Sequence, residues 1–300
     1  MKKIFKWLGI GVGSLVALIC LSLGVVYFLS QRHFDEKLTI AGHPPTVPSD
    51  TATVARGRQV INSYGMCADC HGPDLGGQVF IDVPIFAQLY AANLTSGEGG
   101  IGGTLTDLDW ERAIRHGVKP DGGKLLFMPS HEYTNVNDAD VIALIAYLKQ
   151  IPKVDRPVRA NHIGPIGRLL YLKGDLPLLP AELMNHTAAH PAEIQPAPTA
   201  EYGRYIANTC AGCHGPTFSG GAIPGTPLEF RPPANITPTG IGHYTEADFF
   251  AALRTGMRPK GVPIDTVYMP VRFTKNLTDE QITAVYAFLK TVPPKEYGGR

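Results

Sequence analysis

Cys67-Ala68-Asp69-Cys70-His71 decides how this chain is read. Two thiols stand two residues apart on one helical turn, and a histidine follows the second at once. The same pattern returns at Cys210-Ala211-Gly212-Cys213-His214. C-x-x-C-H is an attachment signature for a c-type haem: both sulfurs bond to one edge of a porphyrin, and the imidazole lies under the iron as its proximal ligand. The expected cofactor is therefore two covalently bound haem c. Cys67, Cys70, Cys210 and Cys213 would be the attachment points, with His71 and His214 as iron ligands. One four-thiolate zinc site from the same cysteines is the competing reading. It would require the two pairs to meet across a whole domain and would leave both histidines unexplained. A thioredoxin-like redox pair lacks its strand–helix context.

Outside the motifs the second half repeats the first. Asn93-Leu-Thr95 matches Asn235-Ile-Thr237, and Asp109 to Gly117 matches Asp248 to Gly256. Phe127-Met-Pro129 matches Tyr268-Met-Pro270, and Tyr147 to Pro152 matches Phe288 to Pro293. A repeat this long is a duplicated domain. Met128 and Met269 are the matched candidates for the sixth iron ligand, and a soft thioether there raises the potential and closes the iron to substrates. His116, His131 and Met257 are rivals without a matching partner in the other half. Arg115 and Arg254 do recur, and read either as partners of the haem propionates or as solvated helix faces.

The periodicity predicts a helix over residues 51–66, leading into the first motif. A second should start at Asp107 behind Thr106 as N-cap and stop at Gly117. A third, from about Asp138 to Gln150, has Val141, Leu144, Ile145 and Leu148 on one face. In the second half Thr278 to Gln281 is a capping box opening the equivalent helix. The Gly- and Pro-rich stretch between His71 and Asn93 reads as loop.

Trp7 to Leu29 carries no charged residue and is long enough to cross a bilayer as a helix. Lys2, Lys3 and Lys6 in front of it argue for an N-terminus held in the cytoplasm. A cleaved signal peptide is the alternative, but its apolar region would be shorter and no small-x-small cleavage site follows. Cys20 lies inside the apolar stretch, preceded by Ile19 where a lipidation site would have a small residue. Net charge is +1 over 300 residues, and no basic stripe with interleaved aromatics appears, which argues against a nucleic-acid partner. His162, His186 and His190, with Met184, read as surface or interdomain polar groups, because no third C-x-x-C-H accompanies them.

These residues resemble class I c-type cytochromes in both halves, over about 51–152 and 201–293. The likeness is closer still to membrane-anchored cytochrome c subunits of bacterial periplasmic dehydrogenases, through Ala55-Arg-Gly-Arg58, Ala234-Asn-Ile-Thr-Pro238, Gly240-Ile-Gly242, Met269-Pro270 and Leu277-Thr-Asp-Glu280. Those subunits often carry three haems, whereas this chain has two motifs. The resemblance implies an all-α fold: two tandem cytochrome c domains, each with the helix that leads into C-x-x-C-H crossing the last helix. It also implies a proline carbonyl bonded to each proximal imidazole, for which Pro84 and Pro227 are equally spaced from their motifs. The organisation expected is an anchor (1–30), a tether with little structure (31–50), a first domain (51–155), an interdomain segment (156–199) and a second domain (200–295). The expected function is electron transfer, not catalysis, on the outer face of a bacterial cytoplasmic membrane. The bilayer is met through residues 7–29, and the redox partners expected are a dehydrogenase or quinol oxidiser, a soluble cytochrome or a terminal oxidase. The alternatives are a dihaem peroxidase or thiosulfate-type oxidoreductase with one exchangeable ligand, and a redox or gas sensor.

Overall fold

The computed structural model describes residues 2–299 apart from 158, 224, 225, 227 and 228. Helix α1 (Lys2–Asp35) contains the apolar stretch, has a mean hydropathy of 2.4 in its best window, and is unburied there. Its uncharged portion spans about 35 Å at 1.5 Å per residue, enough for a hydrocarbon core of about 30 Å.

The first domain comprises α2 (Thr51–Asn62), α3 (Cys67–His71), a hairpin of β1 (Val79–Val83) and β2 (Ala87–Tyr90), α4 (Asp107–His116), α5 (Ser130–Tyr133) and α6 (Asp138–Leu148). The interdomain segment adds β3 (His162–Ile163) and α7 (Pro165–Leu172). The second domain comprises α8 (Ala200–His214), α9 (Pro238–Ile241), α10 (Glu246–Thr255), the two-residue strands β4 (Met257–Arg258) and β5 (Val262–Pro263), α11 (Val271–Thr274) and α12 (Asp279–Leu289).

Each domain is built on one helix crossing, α2 over α6 and α8 over α12. A glycine makes both crossings possible. A Cβ on Gly57 would lie 1.9 Å from the Ala143 carbonyl oxygen, and one on Gly203 would lie 1.8 Å from that of Ala284. The backbones approach so closely that no side chain fits. Around the first crossing pack Val60, Ile61, Trp110, Ile114, Leu144 and Leu148. Around the second pack Tyr202, Ile206, Phe249, Ile282, Phe288 and Leu289. The helix starts are as expected: Thr106–Asp109 and Thr278–Gln281 form reciprocal capping boxes, and Gly117 closes α4 at φ 64°.

Three local features depart from the sequence reading. The helix expected over 51–66 stops at Asn62. The chain then turns through Gly65, whose N–H bonds the Val60 carbonyl at 2.8 Å, and through Met66 at φ 50°. In the second domain α8 runs unbroken into its motif. The stretch between His71 and Asn93 contains the hairpin, extended by β3 into a three-stranded antiparallel sheet. Ala87 and Leu89 point inward from it against Ile163 and Leu178, a local apolar cluster that favours strand over loop. The tether also has more structure than expected. Helix α1 continues past Ser30 to Asp35, because its last turn packs on α7. There the Arg168 guanidinium donates to Ser30 Oγ at 2.8 Å and Gln31 Oε1 at 2.9 Å, and lies 4.4 Å from the Tyr27 ring centroid. Beyond it the Leu38 N–H bonds the Gly122 carbonyl at 2.9 Å and Ile40 is buried.

Candidate haem sites

The two motif turns are built alike. Gly72 and Gly215 close them at φ 81° and 79°. The N–H of Gly77 bonds the His71 carbonyl at 2.8 Å, and that of Gly220 bonds the His214 carbonyl at 2.9 Å. Leu75 and Phe218 both take positive φ, at 56° and 61°. The chain thus makes the same excursion twice and returns to the same place under the imidazole.

That place carries a carbonyl. His71 Nδ1 lies 2.8 Å from the Ala92 carbonyl oxygen, and His214 Nδ1 lies 2.7 Å from that of Ala234. A carbonyl only accepts, so Nδ1 carries the proton in both rings and the lone pair is at Nε2. A lone pair at Nε2, on a ring held by its other nitrogen, is the donor a haem iron requires. Burial pushes the His71 pKa down, against the effect of the Ala92 bond, which raises it. The neutral ring is the form that ligates. Burial also pushes the Cys67 and Cys210 thiols up to about 12. Surroundings that disfavour thiolate suit a neutral thioether. Among the described residues the four motif cysteines form no metal-ligand group. Thiol pairs and imidazoles together fit covalent haem.

The proline expectation is corrected. The Pro84 carbonyl lies in the turn between β1 and β2, packed against Gly164, where a Cβ would approach it to 2.2 Å. Pro227 lies outside the described residues. Equal spacing from the motifs misled, because in both domains it is the alanine 20 or 21 residues after the histidine that reaches the ring. The true signal was the alanine before each matched Asn-x-Thr. Asn93 accepts from the Thr95 N–H at 2.9 Å and donates to the Val154 carbonyl at 2.7 Å. Asn235 accepts from the Thr237 N–H at 2.9 Å and donates to the Lys295 carbonyl at 2.7 Å. Each asparagine pins the adjoining alanine to the segment beyond the last helix.

Arg115 and Arg254 both have partners within the protein. Arg115 is buried and donates to the Val136 carbonyl at 2.6 Å and Asp138 Oδ1 at 2.7 Å. Arg254 donates to the carbonyls of Lys275 and Leu277 and to Asp279 at 2.6 Å. Both guanidinium groups are used in tying α4 or α10 to the start of the last helix, which accounts for their recurrence.

Met128 and Met269 lie half-buried in equivalent loops, each accepting at its carbonyl from the N–H two residues on, at 2.7 Å. Pro129 and Pro270 then open α5 and α11 with similar backbone angles. His131 Nδ1 is buried and has no hydrogen-bond partner.

The two motif turns also meet each other. Thr209 Oγ1, beside Cys210, donates to Met66 Sδ, beside Cys67, at 3.7 Å. Arg272, from the helix after Met269, pairs with Asp69 inside the first motif. Glu132, from the helix after Met128, lies against Gly212 inside the second, where a Cβ would be 3.0 Å from its carboxylate. The contacts are reciprocal: each domain sets the helix after its methionine on the other domain's attachment turn.

Residues 200–293 match the family model described as "Cytochrome c", and residues 52–148 match that described as "Cytochrome C oxidase, cbb3-type, subunit III". The chain is similar to a nicotinate dehydrogenase subunit of Pseudomonas putida, at 30% identity over 83% of this chain and 22% of that protein. It is 25% identical to the fructose dehydrogenase cytochrome subunit of Gluconobacter japonicus, over 85% of this chain and 57% of that one. It is 29% identical to a "Diheme cytochrome c-type" protein of Cereibacter sphaeroides, over 82% of this chain and 88% of that one. The chain spans about a fifth and about three fifths of the lengths of the first two, and most of the third. Two matched domains, two attachment turns and two oriented imidazoles make the chain a c-type cytochrome of two tandem domains with two covalently bound haem c.

Proposed function

We propose that the chain is a membrane-anchored electron carrier, which takes single electrons from a dehydrogenase or quinol-oxidising unit and delivers them to a soluble cytochrome or terminal oxidase. Each bound haem supplies a one-electron couple. The residues hold it: Cys67, Cys70 and His71 in the first domain, and Cys210, Cys213 and His214 in the second. Met128 and Met269 are the proposed sixth ligands, supported by their equivalent loops. The observation that carries the reading is the reciprocal contact of the two attachment turns. A protein that only stored two haems would have no use for it; a relay requires its two centres at one interface. The relatives named as dehydrogenase cytochrome subunits support a dehydrogenase as donor. Lys2, Lys3 and Lys6 support an N-terminus inside and both domains on the periplasmic face.

Spectra of the oxidised protein test the ligand set. Two methionine–iron charge-transfer bands are expected, with Met128→Ala and Met269→Ala each removing one. A wild-type protein lacking one band would instead favour a dihaem enzyme with an exchangeable position. Stopped-flow reduction by a quinol or dehydrogenase donor, followed by oxidation by a soluble cytochrome, tests the relay; a reduced protein that passes no electrons on would sink it.

A further inference from the structure

Beside α4 and α6 a cavity of about 360 Å³ is lined by His43, Glu111, His116, His186 and His190, among others. These residues come from three separate segments: the tether, α4, and the stretch before the second domain. Ligand atoms of Glu111, His116 and His190 all lie within 4.8 Å of one another. We infer that this cluster is a binding site for a divalent transition-metal ion of the zinc class, which fastens the interdomain segment to α4.

The hydrogen bonds prepare the nitrogens for a cation. His186 Nε2 lies 2.9 Å from the Ala181 carbonyl, which only accepts, so Nε2 carries the proton and His186 Nδ1 is bare. His116 Nδ1 lies 3.0 Å from that bare nitrogen and must donate to it. His116 Nε2 is therefore a bare lone pair, buried, and 3.8 Å from Glu111 Oε1. Two acceptors at that separation make no hydrogen bond. Two ligands of one tetrahedral zinc, each about 2.0–2.2 Å from it, stand about 3.3–3.6 Å apart, so this pair needs to close by only a few tenths of an ångström to share an ion.

His190 repeats the arrangement. Its Nδ1 lies 2.7 Å from Asp138 Oδ1, so Nδ1–H donates to the carboxylate and the lone pair is at Nε2. A carboxylate behind a ligating imidazole is the common support of metal-bound histidine. His190 sits on an exposed loop, with one ring nitrogen held by Asp138. Arg115 lies 2.7 Å from Asp138 and 3.7 Å from Glu111, and the Arg112 guanidinium also acts on Glu111, so the ion would be held by its ligand atoms and not by surplus negative charge. Imidazole with carboxylate suits zinc, copper or nickel better than magnesium or calcium. The cluster of His33, Glu36 and Glu182 differs, because the Lys124 ammonium already stands 2.6 Å from Glu36 and 2.7 Å from Glu182.

The test is calorimetric titration of zinc chloride into untagged, chelator-treated, detergent-solubilised holoprotein with both haems in place. One ion per chain is expected. Glu111→Gln and His190→Ala, both away from the buried core, should each weaken binding about tenfold or more with haem spectra unchanged. Magnesium chloride should give no binding. Zinc should also slow proteolysis within residues 184–199 in the wild type and not in His190→Ala. No binding, binding of equal strength in both variants, or unchanged proteolysis in the zinc-loaded wild type would each overturn the inference.

Discussion

The Tyr205 hydroxyl of the second domain donates a hydrogen bond to the Asp140 carboxylate of the first. Asp140 has 2% of its side chain exposed, and within its own domain it also accepts from Arg56 Nε at 2.6 Å and Tyr64 OH at 2.7 Å. A buried carboxylate is tolerated only when its lone pairs are filled, and here one of the donors comes from across the interface. Tyr205→Phe should therefore loosen the two domains by about 1.5–3 kcal/mol, the range for a hydrogen bond to a charged group. Scanning calorimetry checks this, with separate unfolding of the two domains as the expected outcome. A double-mutant cycle with Tyr64→Phe should show coupling; additive effects would mean that the two hydroxyls act independently.

Gly203→Val should prevent the second domain from assembling. The new side chain would begin 1.8 Å from the Ala284 backbone oxygen, and no flexible group is there to move aside. We expect a loss of about 3 kcal/mol or more, since strain of this kind exceeds ordinary overpacking. Haem content measured by pyridine haemochrome should fall toward one haem per chain. Full loading at wild-type thermal stability would contradict the close crossing.

Asn93→Leu and Asn235→Leu separate the two haems spectroscopically. Each removes the side chain that pins the carbonyl behind one proximal imidazole. The stability cost should be about 1–3 kcal/mol per site, from backbone groups left unpaired. The distinguishing readout is a redox titration in which Asn93→Leu moves the midpoint of one haem and Asn235→Leu that of the other. Unmoved midpoints in both variants would reduce these asparagines to purely structural roles.

The join between anchor and first domain should depend on pH. A hydrogen bond from Lys124 holds the Glu36 carboxyl below its ordinary value of 4.5. Burial raises the Glu182 carboxyl, but Lys124 and the Tyr171 hydroxyl outweigh it and hold it lower too. Depressed carboxylates stabilise fully above the unfolded value and lose that contribution as pH falls through the folded one. Burial lowers the Lys124 pKa, while Glu182 and Glu36 more than compensate, so its contribution is lost only as pH rises above 10.5. Amide exchange at residues 36–40 should therefore reveal opening as pH falls below about 4.5, beyond the intrinsic pH dependence of exchange. Lys124→Met should open the join at neutral pH. Protection equal to wild type at pH 7 in that variant would argue against the clamp.

Much of the fold was legible from the residues because it rests on local rules. Cysteine spacing set the attachment turns, 3.6-residue periodicity set α6 and α12, and threonine caps and closing glycines set the ends of α4 and α10. The hairpin was missed because its turn contains Pro84 and it sits among glycines, although Val79, Phe80, Ile81 and Val83 carried a strand signal. Both arginines were marked by their recurrence, but recurrence does not distinguish a propionate partner from a bond to a helix start. The partner of each proximal imidazole stands at nearly the same distance in both halves, 21 residues on in one and 20 in the other, but equal spacing also held for the two prolines, so counting could not choose between them.

Residue order alone establishes two attachment turns, each in a copy of one domain, and an apolar helix before them that is long enough to cross a membrane. Those properties depend on neighbours within a few residues, or on composition. Three-dimensional packing settles the rest: which carbonyl orients each histidine, that the two motif turns meet through Met66 and Thr209, and that His116, His186 and His190 converge on Glu111. These relationships join residues far apart in the chain. The docking of whole helices sets them, and no local spacing records it.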